Sequence, residues 1–151
     1  MVEVTKAAVQ NTAPMYLRDV LRQNVSALDE QAFKGKLRDS STDLPLCIIT
    51  VAGNAGRRLT YSGTKFLGPQ LTFDVELTTN TQVERDTIAD TIVAVFQSPS
   101  SADSDGLTLR QQGMEYKGHD ITVDEDTITG GGKSKKYFVA FMSFEFKLAN
   151  K

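Results

Sequence analysis

From Leu17 onward, Val20, Leu21, Asn24 and Leu28 recur at three- and four-residue spacing, while Arg18, Asp19, Arg22 and Gln23 fall on the other faces. That period predicts an amphipathic helix over Pro14 to Lys34, opened by Thr12-Ala13-Pro14 and closed at Gly35. A second helix is predicted over Thr81 to Gln97, where Ile88, Ala89, Ile92, Val95 and Phe96 share one face. Thr81 and Glu84 are spaced as a capping box, and Ser98-Pro99-Ser100-Ser101 ends the element.

Elsewhere the period is two. Leu71, Phe73, Val75 and Leu77 alternate with Thr72, Asp74, Glu76 and Thr78, the pattern of a strand with one buried and one wet face. Leu44 to Val51 reads as a strand, Gly53-Asn54-Ala55-Gly56 as a turn, and Leu59 to Ser62 with Lys65 to Leu67 as a less regular continuation. Short strands are predicted at Leu107 to Gln111 and at Ile121 to Asp124. A long one runs from Lys136 to Leu148, with Phe138, Ala140, Met142, Phe144 and Phe146 on one side. The order helix, strands, helix, strands predicts an α+β fold: a mostly antiparallel sheet with two amphipathic helices on one face. Long polar loops are expected to project at 53–57, 97–106 and 129–136, and residues 1–11 to form an arm. At 151 residues the chain is expected to make one domain, 1–151.

Composition narrows the chemistry. There is one histidine, His119, one cysteine, Cys47, and no tryptophan. Nucleophile–base pairs and most transition-metal sites draw on His and Cys, so little material for them is present. Cys47 sits in the apolar run Leu46 to Ile49, reads as a small buried hydrophobe and suits a reducing compartment. Lys plus Arg number 17 against 19 Asp plus Glu, so no global field would hold the protein on DNA or an anionic membrane. No window approaches the ~20 apolar residues of a spanning helix, so neither secretion nor membrane insertion is expected.

Four local patterns carry possible chemistry. Gly130-Gly131-Gly132-Lys133-Ser134 resembles part of a phosphate loop, but Thr127 stands where its first glycine belongs and a strand pattern follows in place of a helix. A flexible basic loop is the expectation there. Asp103-Ser104-Asp105-Gly106 and the acids from Asp120 to Asp126 lack the glycine and distal glutamate of a calcium loop and read as solvated turns. His119, between Gly118 and Asp120, reads as a polar turn residue, with no nucleophile placed beside it by a motif. Arg57-Arg58 and the run Lys133, Ser134, Lys135, Lys136 are basic clusters suited to a polyanion or to an acidic protein surface. No catalytic residue, cofactor site or metal ligand is assigned. Arg57, Arg58, Lys133, Lys135 and Lys136 are the candidate interface residues.

The helix from Pro14 to Lys34, the strand Leu71 to Leu77 leading into the helix at Thr81 to Gln97, and the final strand ending Phe144-Glu145-Phe146-Lys147-Leu148 together resemble the tail terminator or tail-completion proteins of long-tailed bacteriophages. The likeness lies in layout and covers most of the chain. It implies a non-enzymatic subunit of a ring, commonly a hexamer, that caps the tail tube and joins it to the head connector. Its partners would be copies of itself, the tail-tube protein and the head-connector protein, with non-specific contact to passing DNA. Its place would be the virion, assembled in the host cytoplasm. The alternatives are another head–tail connector or minor tail protein, or a small enzyme with a carboxylate-based site.

Overall fold

The computed structural model describes residues 9–33, 44–54, 60–62, 65–67, 70–130 and 133–148. These contain helices α1 (Val9–Asn24) and α2 (Gln82–Gln97) and strands β1 (Leu46–Asn54), β2 (Thr60–Ser62), β3 (Lys65–Leu67), β4 (Gln70–Thr79), β5 (Met114–Gly130) and β6 (Lys133–Leu148). An antiparallel four-stranded sheet has the order β1-β4-β6-β5, and β2 pairs with β3 separately. The fold is α+β.

The alternation in β4 sorts this sheet into two faces. Leu71, Phe73, Val75 and Leu77 are buried, opposite Phe146, Phe144, Met142 and Ala140 of β6. Onto that side α1 lays Tyr16, Leu17, Val20 and Leu21, and α2 lays Ile88, Ile92 and Phe96. The Phe96 ring meets Phe144 edge-on at 4.8 Å and Phe146 at 5.6 Å, the geometry that aromatic quadrupoles favour. Each such side chain contributes roughly 1.5–3 kcal/mol on burial, so this layer holds the helices to the sheet.

Helix α1 is displaced from its expected span. It begins at Val9, so Val9, Gln10 and Asn11 of the expected arm are helical, while residues 1–8 lie outside the described residues. It ends at Asn24, whose side-chain amide donates to the carbonyl of Val20 at 2.7 Å and to that of Ala102 at 3.0 Å. A short polar side chain that bonds its own preceding turn competes with helix propagation. A 3-10 turn over Glu30–Phe33 follows, with the Asp29 carboxylate accepting from the amide of Ala32 at 3.0 Å. Helix α2 starts where the capping box places it. The Thr81 hydroxyl accepts from the amide of Glu84 at 3.1 Å, and the Glu84 carboxylate accepts from the amide of Asn80 at 3.4 Å.

Residues 98–113 are neither the expected projecting loop at 97–106 nor the expected strand at Leu107 to Gln111. They form successive turns fastened to both helices. Ser101 donates to the carbonyl of Val95 at 2.6 Å, and one oxygen of Asp103 accepts from the amides of Asp105 and Leu107 at 3.0 and 2.9 Å. The Tyr16 hydroxyl donates to the carbonyl of Leu107 at 2.8 Å, and Asp19 accepts from the amide and hydroxyl of Ser104 at 3.0 and 2.6 Å. Ser101, Asp103, Leu109 and Gln112 are buried, so the polarity of this stretch serves internal hydrogen bonds.

The other departure is β5. In place of a strand over Ile121 to Asp124, residues from Met114 to Gly130 pair with β6, interrupted by an irregularity between Tyr116 and Gly118. Its pairing with one neighbour, rather than a buried face, sustains it.

Candidate assembly interface

Strand β4 follows β6 only as far as the pair Thr79 and Phe138, whereas β5 continues beside β6 from Asp126 opposite Tyr137 to Gly130 opposite Lys133. The last part of the hairpin is therefore a two-stranded overhang reaching about 17 Å past the sheet, at ~3.3 Å per residue. Thr127, Ile128, Thr129 and Tyr137 suit its extended backbone. The residues at 129–136, expected as a long flexible loop, are thus the end of a paired hairpin, with Gly131 and Gly132 outside the described residues. Lys133 opens a strand here and not a helix, so the backbone amides that would cradle a phosphate at a helix N-terminus are committed otherwise.

Of the candidate basic residues, the hairpin brings Lys133, Lys135 and Lys136 together at its end, and Arg57 and Arg58 lie outside the described residues. Lys135 stands opposite Ile128 and Lys136 opposite Thr127, so the two lysines point to opposite sides of the hairpin. The Lys136 ammonium lies 3.1 Å from the Glu125 carboxylate and 5.7 Å from the Phe138 ring centre. That pair is solvent-exposed and contributes at most about 1 kcal/mol, so it exchanges readily for another partner.

The base of the overhang is held by Arg85, a residue to which the sequence pattern gave no role. It is buried in the first turns of α2, with its guanidinium 5.8 Å from the Phe138 ring centre. Its Nη1 donates to the carbonyl of Asp124 at 3.2 Å and its Nε to Asp86 at 2.9 Å. The signal was available: Arg85 lies three residues before Ile88 and four before Ala89, and so occupies the inward stripe of α2.

The sheet face turned away from the helices is acidic. Register places Thr50, Asp74, Ser143 and Asp120 in one row across the strands, then Ile48, Glu76, Phe141 and Thr122, then Leu46, Thr78, Val139 and Asp124, with Asp126 beside Tyr137 beyond. Ile48 is 37% and Phe141 46% exposed at its centre, whereas Leu46 and Val139 are buried. Asp74 accepts from the Ser143 hydroxyl at 2.7 Å. Among the described residues none of Asp74, Glu76, Asp120, Asp124 and Asp126 is ion-paired with a basic side chain. The Tyr137 hydroxyl ionises above its usual range, first through burial and then through the negative charge of Asp126, Glu76 and Asp124. Sequence reasoning placed Asp74 and Glu76 on the open face of β4, whereas Thr78, also expected wet, is buried; it did not align these positions with Asp120, Asp124 and Asp126, because the long pairing of β5 was not anticipated.

His119 is a strand residue, not part of a turn. It stands opposite Phe144, with ring centres 5.8 Å apart and planes inclined by 28°, and its Nδ1 meets the Tyr116 hydroxyl. Asp103 serves backbone amides, as above. At the far end of the sheet a cleft of about 400 Å³ is lined by Phe96, Pro99, Leu109, Met114 and Tyr116, with Arg110 and Glu115 in its wall. Glu115 is the sole acid among its described lining residues, whereas a cleft of about 360 Å³ on the open face is lined by Asp74, Glu76 and Asp120. No helix among the described residues is long and apolar enough to cross a membrane.

No known family model matches the chain, and neither does a curated protein.

Proposed function

We infer that the chain is a structural subunit of a phage virion, a ring-forming tail terminator that caps the tail tube and joins it to the head connector. The observation that carries this reading is the hairpin overhang, which sets lysines at the end of a paired two-stranded element whose base is held by Arg85. A ring subunit can use such an element to reach its neighbour, because a ring is built from a contact between two different surfaces of the same chain. Long layout likeness supports the same reading: an amphipathic helix, then an alternating strand running directly into a capped helix, then a long final strand. On this reading the other partners are the tail-tube and head-connector proteins, the ring is a hexamer, and assembly takes place in the host cytoplasm on the way to the virion.

The test is to add the purified chain to tail-tube protein from the same genome while tubes are polymerising. Electron microscopy should find a ring at one end of each tube, with sixfold symmetry on averaging, and tube growth should stop there. Tubes that elongate unchanged, with no density at either end, overturn the reading. Attachment to head connector alone would favour a head-closure role, and turnover of a small substrate by the isolated chain would favour an enzyme.

A further inference from the structure

We propose that the acidic open face of the sheet is the receptor for the basic hairpin end of a second copy of this chain, so that neighbouring copies join head to tail. The proposal rests on the ring reading above and supplies its subunit contact.

Three observations favour this occupant. The first is charge: the face carries Asp74, Glu76, Asp120 and Asp124 without basic partners among the described residues, whereas the hairpin end carries Lys135 on the side of Ile128 and Tyr137, and Lys136, in an exposed pair with Glu125, on the other. Such complementarity sets orientation and encounter more than affinity. The second is the apolar centre. Exposed Ile48 and Phe141 lie amid the acids, and the overhang brings half-buried Ile128 and Tyr137. This is the arrangement of an apolar contact with a polar rim. The third is size: the overhang of about 17 Å matches the ~14 Å spanned by four strands at ~4.8 Å spacing.

The same charges exclude the simplest alternative. A twofold dimer through this face would set carboxylates of both copies against one another, and like charges at close range are repulsive. A contact joining two different surfaces of the same chain is heterologous, and it closes into a ring when the rotation between copies permits.

Sedimentation of the purified chain over a range of concentrations and salt tests the proposal. The unmodified protein should self-associate, and the association should weaken at least tenfold between about 50 mM and about 500 mM salt as the Debye length shortens. Lys135→Glu with Lys136→Glu should shift the chain to monomer, as should Glu76→Lys with Asp120→Lys. Combining all four substitutions should restore association, since the charges are then exchanged and not lost. The salt titration reads the contact in the unmodified chain even if a variant fails to fold. A chain that stays monomeric to millimolar concentration overturns the proposal. So does association indifferent to salt or to the lysine reversal, or a folded fourfold variant that remains monomeric. Tube capping is read separately. Rings that still cap tubes after the lysine reversal remove this contact and leave the terminator reading standing; salt-sensitive, charge-exchangeable association without capping removes the terminator reading and leaves the contact.

Discussion

The guanidinium of Arg85 in α2 donates to the backbone carbonyl of Asp124 in β5 across 3.2 Å, tying a helix to an edge strand of the sheet. Phe138 lies beneath the same guanidinium, and its opposite number in β4 is the last residue of that strand to pair with β6. The helix therefore grips the hairpin where its support from the sheet ends. Leverage on the free part depends on that grip.

Arg85→Ala should lower stability by about 1.5–3 kcal/mol, the range for a hydrogen bond to a charged group. Urea denaturation should show an earlier midpoint with an unchanged slope. Amide exchange should accelerate from Ile121 to Ile128 more than in β4. Arg85→Lys should recover part of the loss, because an ammonium keeps the charge but not the planar fork. Equal exchange in both strands would show that the Asp124 contact does not restrain the hairpin.

Asp103→Ala should cost about 1–3 kcal/mol, since the amides of Asp105 and Leu107 would lose the buried carboxylate that accepts from them in a part-buried turn. Limited proteolysis should leave residues 98–113 intact in the parent protein and cut them in the variant. Early cleavage there in the parent would contradict the hydrogen-bonded structure described.

Stability should fall on the alkaline side. Burial pushes the Cys47 thiol up to about 12, and burial first, with Asp103 and Asp19 nearby, holds the Tyr16 hydroxyl above its usual range. Both groups stay neutral in the folded chain while the unfolded chain loses those protons from about pH 8.5 for the thiol and about pH 10 for the phenol. The contribution is complete below those values and is lost as pH rises. Asp19 has the opposite sign. Burial by itself raises its pKa, but hydrogen bonds from Ser104 and Arg22 outweigh this and leave it below the ordinary carboxylate value, so its contribution is lost in acid. Thermal melts across pH should show both flanks, and Tyr16→Phe should flatten the alkaline one.

Two phenylalanines three residues apart in β6 should behave oppositely. Phe144→Ala removes a ring from the core and should cost about 3–5 kcal/mol. Phe141→Ser, on the open face, should change stability by about 0.5 kcal/mol or less and reduce self-association instead. Comparable melting losses in the two variants would mean the open face is packed within the free chain.

Legibility followed how local the cause was. The cap at Thr81 and the stripe of Ile88, Ile92 and Phe96 are set by neighbours in sequence, and the alternation of Leu71 to Leu77 by burial on one side; all three were readable. Of strand β5 only the middle, Ile121 to Asp124, was readable, and its length was not, because Ile121 and Val123 remain exposed although they share the face of Met142 and Ala140. Helix α2 meets β5 there through Arg85 at the Asp124 carbonyl, but the Ile121 and Val123 side chains stay uncovered, and nothing selects an apolar row. Residues 98–113 misled for the converse reason: their Ser and Asp side chains are spent on backbone partners inside the fold. The basic cluster at 133–136 was visible, but its acidic counterpart is assembled from two strands some fifty residues apart and emerges only with register.

Being outermost, β5 presents along its free side a row of backbone donors and acceptors that another extended chain could template onto, the ordinary route to fibres. Asp120, Asp124, Glu125 and Asp126 stud that row with negative charge, and the irregularity after Tyr116 breaks its rhythm. Copies approaching flank to flank would repel before their backbones could zip together. The same acids thus act as gatekeepers, discouraging uncontrolled growth along this edge of the sheet.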